Sequence, residues 1–281
     1  MKSLAAKKPV LFGIIGTIII LVLDIVSNGV LFDLFSSSIT KSQGFLVNGA
    51  TKVVLFVPTA ILLGYIIKSN GFKFAFSTKG FAKGMFASIP IFLCIAVYIV
   101  ASFFITEINR DALSAFPAIV VQQTAISFYE EVLVRGLLIT AILIKLGDRV
   151  KGRIIAMLVS VILFVLFHMA NIFVGSSVSE AISNSIMTIG PGIMLAAVYI
   201  YSKNILSAMI MHTLYNLALH VMSLASQVND AVWSILNIFS LISLFIIGPI
   251  LAIILIIKAK PFGNVVDEVN ISRTNLFIGT N

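Results

Sequence analysis

The side chains in this sequence that could do chemistry stand in three short groups, each inside an apolar run. The first is Phe128-Tyr129-Glu130-Glu131-Val132-Leu133-Val134-Arg135-Gly136. The second is Phe164-Val165-Leu166-Phe167-His168. The third is His212-Thr213-Leu214-Tyr215-Asn216, with His220 beyond it. An ionisable residue inside an apolar helix is costly, so each is a functional candidate by default. Glu131 and Arg135 are four apart, share a helical face and can pair. Glu130 lies about 100° around the helix from Glu131 and can point elsewhere, into a cavity. His212 and Asn216 are also four apart and stack on one face. A carboxylate can take a proton from water, imidazoles can donate or orient, and Asn or His can hold a developing oxyanion. Together they are the inventory of a hydrolytic site.

Each group alone has a plainer reading. Glu131 with Arg135 would be a buried structural pair. A lone His168 or Asn216 would be an interhelical hydrogen bonder. Asp24 has no obvious partner and reads as a helix–helix hydrogen bond or a snorkelling acid. His220 shares the face of Asn216 but sits nearer the far end. Gly190-Pro191-Gly192 reads as a bend rather than a ligand site. The case for a site is that all three groups occur together.

The elements that must position these groups follow from composition. Charged residues make up 11% of the 281 residues, against about 25% in soluble domains. Apolar residues make up 59%, and the mean hydropathy is +1.12. A soluble fold could not hide that much apolar surface, so the bilayer is the solvent. The single cysteine, Cys94, excludes an intramolecular disulfide, a CxxC site and zinc-finger spacing. The net charge of +8 reports membrane orientation rather than nucleic-acid binding.

The hydrophobic runs predict an all-α, polytopic fold of about eight transmembrane helices in one domain, 1–281. The spans are read at about 10–32, 50–67, 84–105, 117–144, 154–173, 181–201, 205–222 and 233–257. The first is too long for a signal-peptide core and is read as uncleaved. The segment Ser69–Lys83, with four Phe among three Lys, could lie along the membrane surface. With the N-terminus inside, fifteen of the nineteen basic residues are cytoplasmic, and Lys41, Lys52 and Arg110 are outside. That bias puts both termini in the cytoplasm, with a polar cytoplasmic tail at 261–281. Counted from the cytoplasmic ends, Glu130 and His168 lie roughly 21 Å deep, Asn216 roughly 17 Å, and Arg135 and His212 roughly 10–14 Å.

In this order on separate spans, Glu130-Glu131-x-x-x-Arg135, Phe164-x-x-x-His168 and His212-x-x-x-Asn216 resemble the CPBP family of intramembrane proteases. That family is also called the Abi or CAAX-protease and bacteriocin-processing family, and it includes the type II CAAX prenyl endopeptidases. Val134 stands where the commoner E-E-x-x-F-R-G form has an aromatic residue. The resemblance covers roughly residues 115–225, the expected catalytic core. It implies an eight-span peptidase with its site inside the bilayer. By that resemblance Glu130 is the general base, and Glu131 and Arg135 hold its orientation, or Glu131 assists. His168 positions the water, and His212 with Asn216 forms the oxyanion pocket.

The family name also suggests a metal. A zinc ion, if used, would take Glu130, His168 and His212. No H-E-x-x-H occurs, and a metal-free glutamate and imidazole mechanism fits the same residues and is preferred. No other cofactor is expected. The expected partners are the lipid bilayer and a membrane-embedded or lipidated protein or peptide, with a CAAX tail or a leader peptide as substrate. Nucleic acid is not expected. The expected location is the plasma membrane. The alternative is a catalysis-independent membrane regulator or immunity protein that binds a membrane partner such as a sensor kinase. A transporter ranks last, because a second half with a matching helix break is missing.

Overall fold

The computed structural model describes residues 3–35, 40–71, 79–102, 109–222 and 230–262. Among these there are helices and turns and no strands. The helices are α1 Leu4–Lys7, α2 Pro9–Phe35, α3 Lys41–Asn70, α4 Phe81–Ala87, α5 Ile89–Ser102 and α6 Arg110–Glu131. A π-helical segment, Val132–Ile139, carries α6 into α7 Thr140–Leu146. Then follow α8 Val150–Met169, a 3-10 turn Ala170–Val174, α9 Val178–Met187, α10 Ile189–Ser202 and α11 Ile205–Met222. Last come α12 Asp230–Leu241, a second π segment Ile242–Ile247, and α13 Gly248–Lys258.

Helix ends follow local chemistry. Thr40 with Gln43 and Ser177 with Glu180 form reciprocal capping boxes at the starts of α3 and α9. Asn109 caps α6 through its side-chain oxygen. α3 closes on Gly71 in the left-handed conformation. α10 closes the same way on Lys203 at φ 62°, the only non-glycine residue with positive φ among those described.

Five helical stretches are long and apolar enough to cross a bilayer: Pro9–Val30, Ser42–Asn70, Val150–Val174, Val178–Ser202 and Ser234–Lys258. The pair α4 and α5, bent by 67° at Ser88, makes a sixth if it is one span. The chain is therefore a multi-pass membrane protein. The reading of eight adds Arg110–Leu146 and α11, which fall outside this set for a physical reason. The first carries Gln122, Gln123, Glu130, Glu131 and Arg135 along its middle. The apolar part of α11 is short, Ile205–Val221. Two of the three helices that carry the candidate groups thus fall outside the set, while α8, with His168, lies within it.

The outer helices turn apolar side chains outward, as a lipid solvent requires: Ile61 and Ile250 are 65% and 59% exposed. One end of the bundle gathers the basic turns. Asn70 Nδ2 donates to the Ala5 carbonyl at 3.1 Å, and Asn204 Nδ2 to Lys79 O at 3.2 Å. Lys83 Nζ donates to Tyr201 O at 2.9 Å. Arg153 Nη1 donates to the carbonyls of Ile256 and Ala259 at 3.2 and 2.7 Å. Asp148 pairs with Arg153 Nε at 2.5 Å and with Lys203 at 3.7 Å, and accepts from the Phe262 N–H. The tail after Phe262 and residues 72–78 of the segment Ser69–Lys83 lie outside the described residues.

Candidate active site

The three sequence groups meet inside the bundle. Glu131 and Arg135 are fully buried and pair at 2.9 Å. The π segment begins right after Glu131, so this pair spans a change in helical pitch, a feature frequent at functional sites. Arg135 Nη2 donates to Gly192 O at 3.3 Å, so the Gly190-Pro191-Gly192 stretch anchors the guanidinium. A Cβ at Gly136 would come within 2.9 Å of Leu63 Cδ2 and 3.3 Å of Ile205 Cδ1, the ends of side chains from α3 and α11 that can yield, so a small residue suits the position without being required.

Glu131 does more than hold Arg135. The same oxygen, Oε1, accepts from His212 Nδ1 at 2.9 Å. A carboxylate only accepts, so Nδ1 carries the proton and Nε2 faces away from Glu131. His212 Nε2 lies 3.8 Å from Glu130 Oε2. Sequence spacing grouped Glu131 with Arg135; the fold adds His212 as a third member and orients it towards Glu130.

His168 is set the same way from α8. Its Nδ1 donates to the Phe164 carbonyl at 2.9 Å, which leaves Nε2 as the free position of the neutral ring. Phe164 is the hub of the site. The Arg135 guanidinium stacks 4.6 Å from its ring centroid. His168 and His212 meet it edge-on at 4.5 and 6.1 Å. Its motif position gave no role for Phe164; the contacts show that it supports all three charged or polar neighbours.

Glu130, His168, His212 and Asn216 line one cavity of about 800 Å³. Glu130 and His212 are each 6% exposed. His220 lines the same cavity, further from Glu130 along α11.

A second polar group, which the sequence reading did not join to the site, completes the wall. Asn216 Nδ2 donates to Gln123 Oε1 at 3.1 Å, and Gln123 Nε2 to Gln122 Oε1 at 3.4 Å. Gln122 Nε2 donates to Asn48 at 3.0 Å, Asn48 to Asn28 at 2.6 Å, and Asn28 to Asp24 Oδ1 at 2.7 Å. Lys52 Nζ closes the chain on Asp24 Oδ1 at 2.5 Å. Lys52 was expected outside the membrane; it is instead buried in α3, because Asp24 on α2 supplies its counter-charge. Asp24 thus has a partner 28 residues away. Gly49 permits the crossing, since a Cβ there would meet Gln122 Cα at 3.1 Å. The sequence signal was Asp24 four residues before Asn28 and Asn48 four before Lys52, polar pairs at helical spacing in otherwise apolar stretches.

Among the described residues, no group of three or more His, Cys, Asp and Glu side chains is arranged to hold a metal ion. As placed, the set Glu130, His168 and His212 does not form a zinc site.

Residues 112–218 match the family model of the Rce1-like type II CAAX prenyl endopeptidases. The match contains all three sequence groups, and the chain resembles the CPBP and CAAX-protease family there. It implies a protease acting on a membrane-associated protein. Neither the curated proteins nor the solved structures yield a match.

Proposed function

We propose that the protein is an intramembrane endopeptidase that hydrolyses a peptide bond in a membrane-associated protein or peptide, using a glutamate-activated water. The observation that carries this reading is the facing of Glu130 Oε2 and His212 Nε2 across 3.8 Å at the floor of the cavity. In the proposed reaction, water attacks the scissile carbonyl as Glu130 takes its proton. The oxyanion is held by the Asn216 amide, and Glu130 returns the proton to the leaving amine as the C–N bond breaks. Glu131 and Arg135 act through His212, which they orient. His168, fixed by Phe164, positions the water.

The proposed topology is eight spans with both termini cytoplasmic, in the plasma membrane. Its support is the gathering of the described turn residues at 70–71, 79–83, 145–153, 203–204 and 256–262 at one basic end. The substrate is a CAAX-type or leader-peptide segment.

The test is cleavage by the purified protein of a panel of prenylated and leader peptides, beside Glu130→Gln. Cleavage by the wild type and its loss in the variant is the expected result. A stable Glu130→Gln protein that cleaves as well as wild type overturns the role of Glu130. One that is cleavage-dead but keeps the full cellular phenotype overturns proteolysis as the physiological role.

A further inference from the structure

The polar row between Asp24 and Asn216 has a direction. Asp24 Oδ1 accepts from Asn28 Nδ2 at 2.7 Å, and a carboxylate can only accept. Asn28 therefore turns its Oδ1 the other way, where it accepts from Asn48 Nδ2 at 2.6 Å. Asn48 Oδ1 accepts from Gln122 Nε2 at 3.0 Å, and Gln122 Oε1 from Gln123 Nε2 at 3.4 Å. Gln123 Oε1 accepts from Asn216 Nδ2 at 3.1 Å. Every link donates towards Asp24, across α2, α3, α6 and α11.

Contacts that only join helices can point either way. In a row of amides, turning one alone sets N–H against N–H on one side and oxygen against oxygen on the other. The row therefore turns as a whole or not at all. The far end decides which, because a reversed Asn28 would put its oxygen against the Asp24 carboxylate. Lys52 Nζ, 2.5 Å from the same carboxylate oxygen, supplies the counter-charge that lets this acceptor sit inside the bundle. Asp24, Lys52 and Gln123 are 2%, 6% and 8% exposed, so little water is at hand to satisfy a misdirected group.

Asn216 stands at the end where the chemistry is proposed. Its Nδ2 carries two hydrogens. Gln123 takes one, and the second is left for an oxygen in the cavity that Asn216 lines. In a reversed row the Asn216 nitrogen would move to the place its oxygen now holds, and the donor would move with it.

We propose that Asp24, with Lys52 behind it, is a remote positioning residue. Through Asn28, Asn48, Gln122 and Gln123 it fixes the direction of the Asn216 amide, and so the donor that Asn216 offers to the oxyanion. This deepens the endopeptidase reading above, on which the oxyanion role of Asn216 rests.

The test uses Gln122, which alone in the row does not line the cavity. Gln122→Glu keeps an acceptor for Gln123 but loses the donation to Asn48. Gln122→Lys keeps a donation to Asn48 but presents a donor to Gln123, which must then reverse. Gln122→Met offers neither. In cleavage of the peptide panel, kcat of Gln122→Glu is expected to exceed that of Gln122→Lys by at least about 10-fold, part of the roughly 10²–10³-fold that one oxyanion donor supplies. Gln122→Met should fall between them, with KM alike in all. A link that is only structural treats the two charged variants alike. Equal kcat in Gln122→Glu and Gln122→Lys, or an effect confined to KM, overturns the proposal.

A second arm reads the amide itself, without cleavage. In [15N]asparagine-labelled protein in detergent, the side-chain signal of Asn216 is identified by its loss in Asn216→Ala. Asp24→Asn combined with Lys52→Met removes the carboxylate without stranding a charge, so both directions of the row become populated. The Asn216 signal is expected to shift or split in this variant. Gln122→Lys gives the same readout if the double variant does not fold. An Asn216 signal unmoved in the folded variant overturns the proposal, whatever the cleavage data. A moved signal in a protein whose wild type cleaves no peptide upholds the row's control of Asn216 and overturns the endopeptidase reading alone.

Discussion

Two carboxylates in this molecule hold two basic side chains each. Glu131 takes Arg135 and His212, both at 2.9 Å. Asp148 takes Arg153 at 2.5 Å and Lys203 at 3.7 Å, and also the Phe262 N–H. The chemistry of the pairs is alike; the surroundings differ. Asp148 ties three helix ends together and is not among the residues that line the 800 Å³ cavity. Glu131 stands behind an imidazole whose other nitrogen faces Glu130 and the 800 Å³ cavity. An ion-pair cluster is a clamp when every member ends on another part of the protein. It becomes machinery when one member carries an atom out into open space.

The largest effect should come from the residue that has no counterpart in the Asp148 cluster. Glu130→Gln keeps shape and hydrogen bonding but cannot take a proton. Its cleavage rate is expected to fall about 10²–10⁴-fold with unchanged thermal unfolding. Full activity in a folded variant would erase the distinction between the clusters.

Next, Asn216→Ala is expected to cost about 10²–10³-fold in kcat, the scale of one oxyanion donor. Gln123→Ala removes the group that holds Asn216 and should lower kcat by less. Gln123→Glu, which keeps an acceptor for Asn216, should recover part of it. A Gln123→Ala protein with altered stability but unchanged kcat would make that contact purely structural.

Arg135→Ala strands Glu131 in the protein interior. It is expected to cost about 3–5 kcal/mol of stability and to reduce the activity of the molecules that remain folded. The two readouts are thermal unfolding in detergent and cleavage rate per folded molecule.

Asp148→Ala tests the other cluster. Loss of a charge-assisted bond should cost about 1.5–3 kcal/mol, with cleavage per folded molecule unchanged. A loss of activity without a loss of stability would show the two clusters to be coupled.

The smallest effect is a pH dependence. Lys203 lies at the basic end, beyond the end of α10. Burial pushes its amine down to about 7, against the opposing pull of Asp148. The folded state therefore binds fewer protons than the unfolded chain between pH 7 and the ordinary lysine range. Stability should rise with pH across that window, and the full penalty should apply below it. In Lys203→Met the slope of unfolding temperature against pH over this interval should flatten. An unchanged slope would assign it to another group.

Much of the site could be read from residue types and spacing. Glu131 and Arg135 pair as a four-residue separation dictates, because that separation brings side chains together on any helix. The all-helical fold followed from the long continuous apolar runs, because in a bilayer backbone groups must be satisfied internally and a run of about 20 apolar residues does so as a helix. His168, His212 and Glu130 share a cavity, as polar residues in apolar helices are expected to turn inward. Spacing along one helix says nothing about contacts between helices. That His212 Nδ1 ends on Glu131, that Phe164 supports an arginine and two histidines, and that Lys52 meets Asp24 were all decided by packing. The π segment after Glu131 and the close crossing at Gly49 were decided there too. The physical reason is that local periodicity fixes the direction of a side chain about its own axis. Only the placement of neighbouring helices decides what it meets.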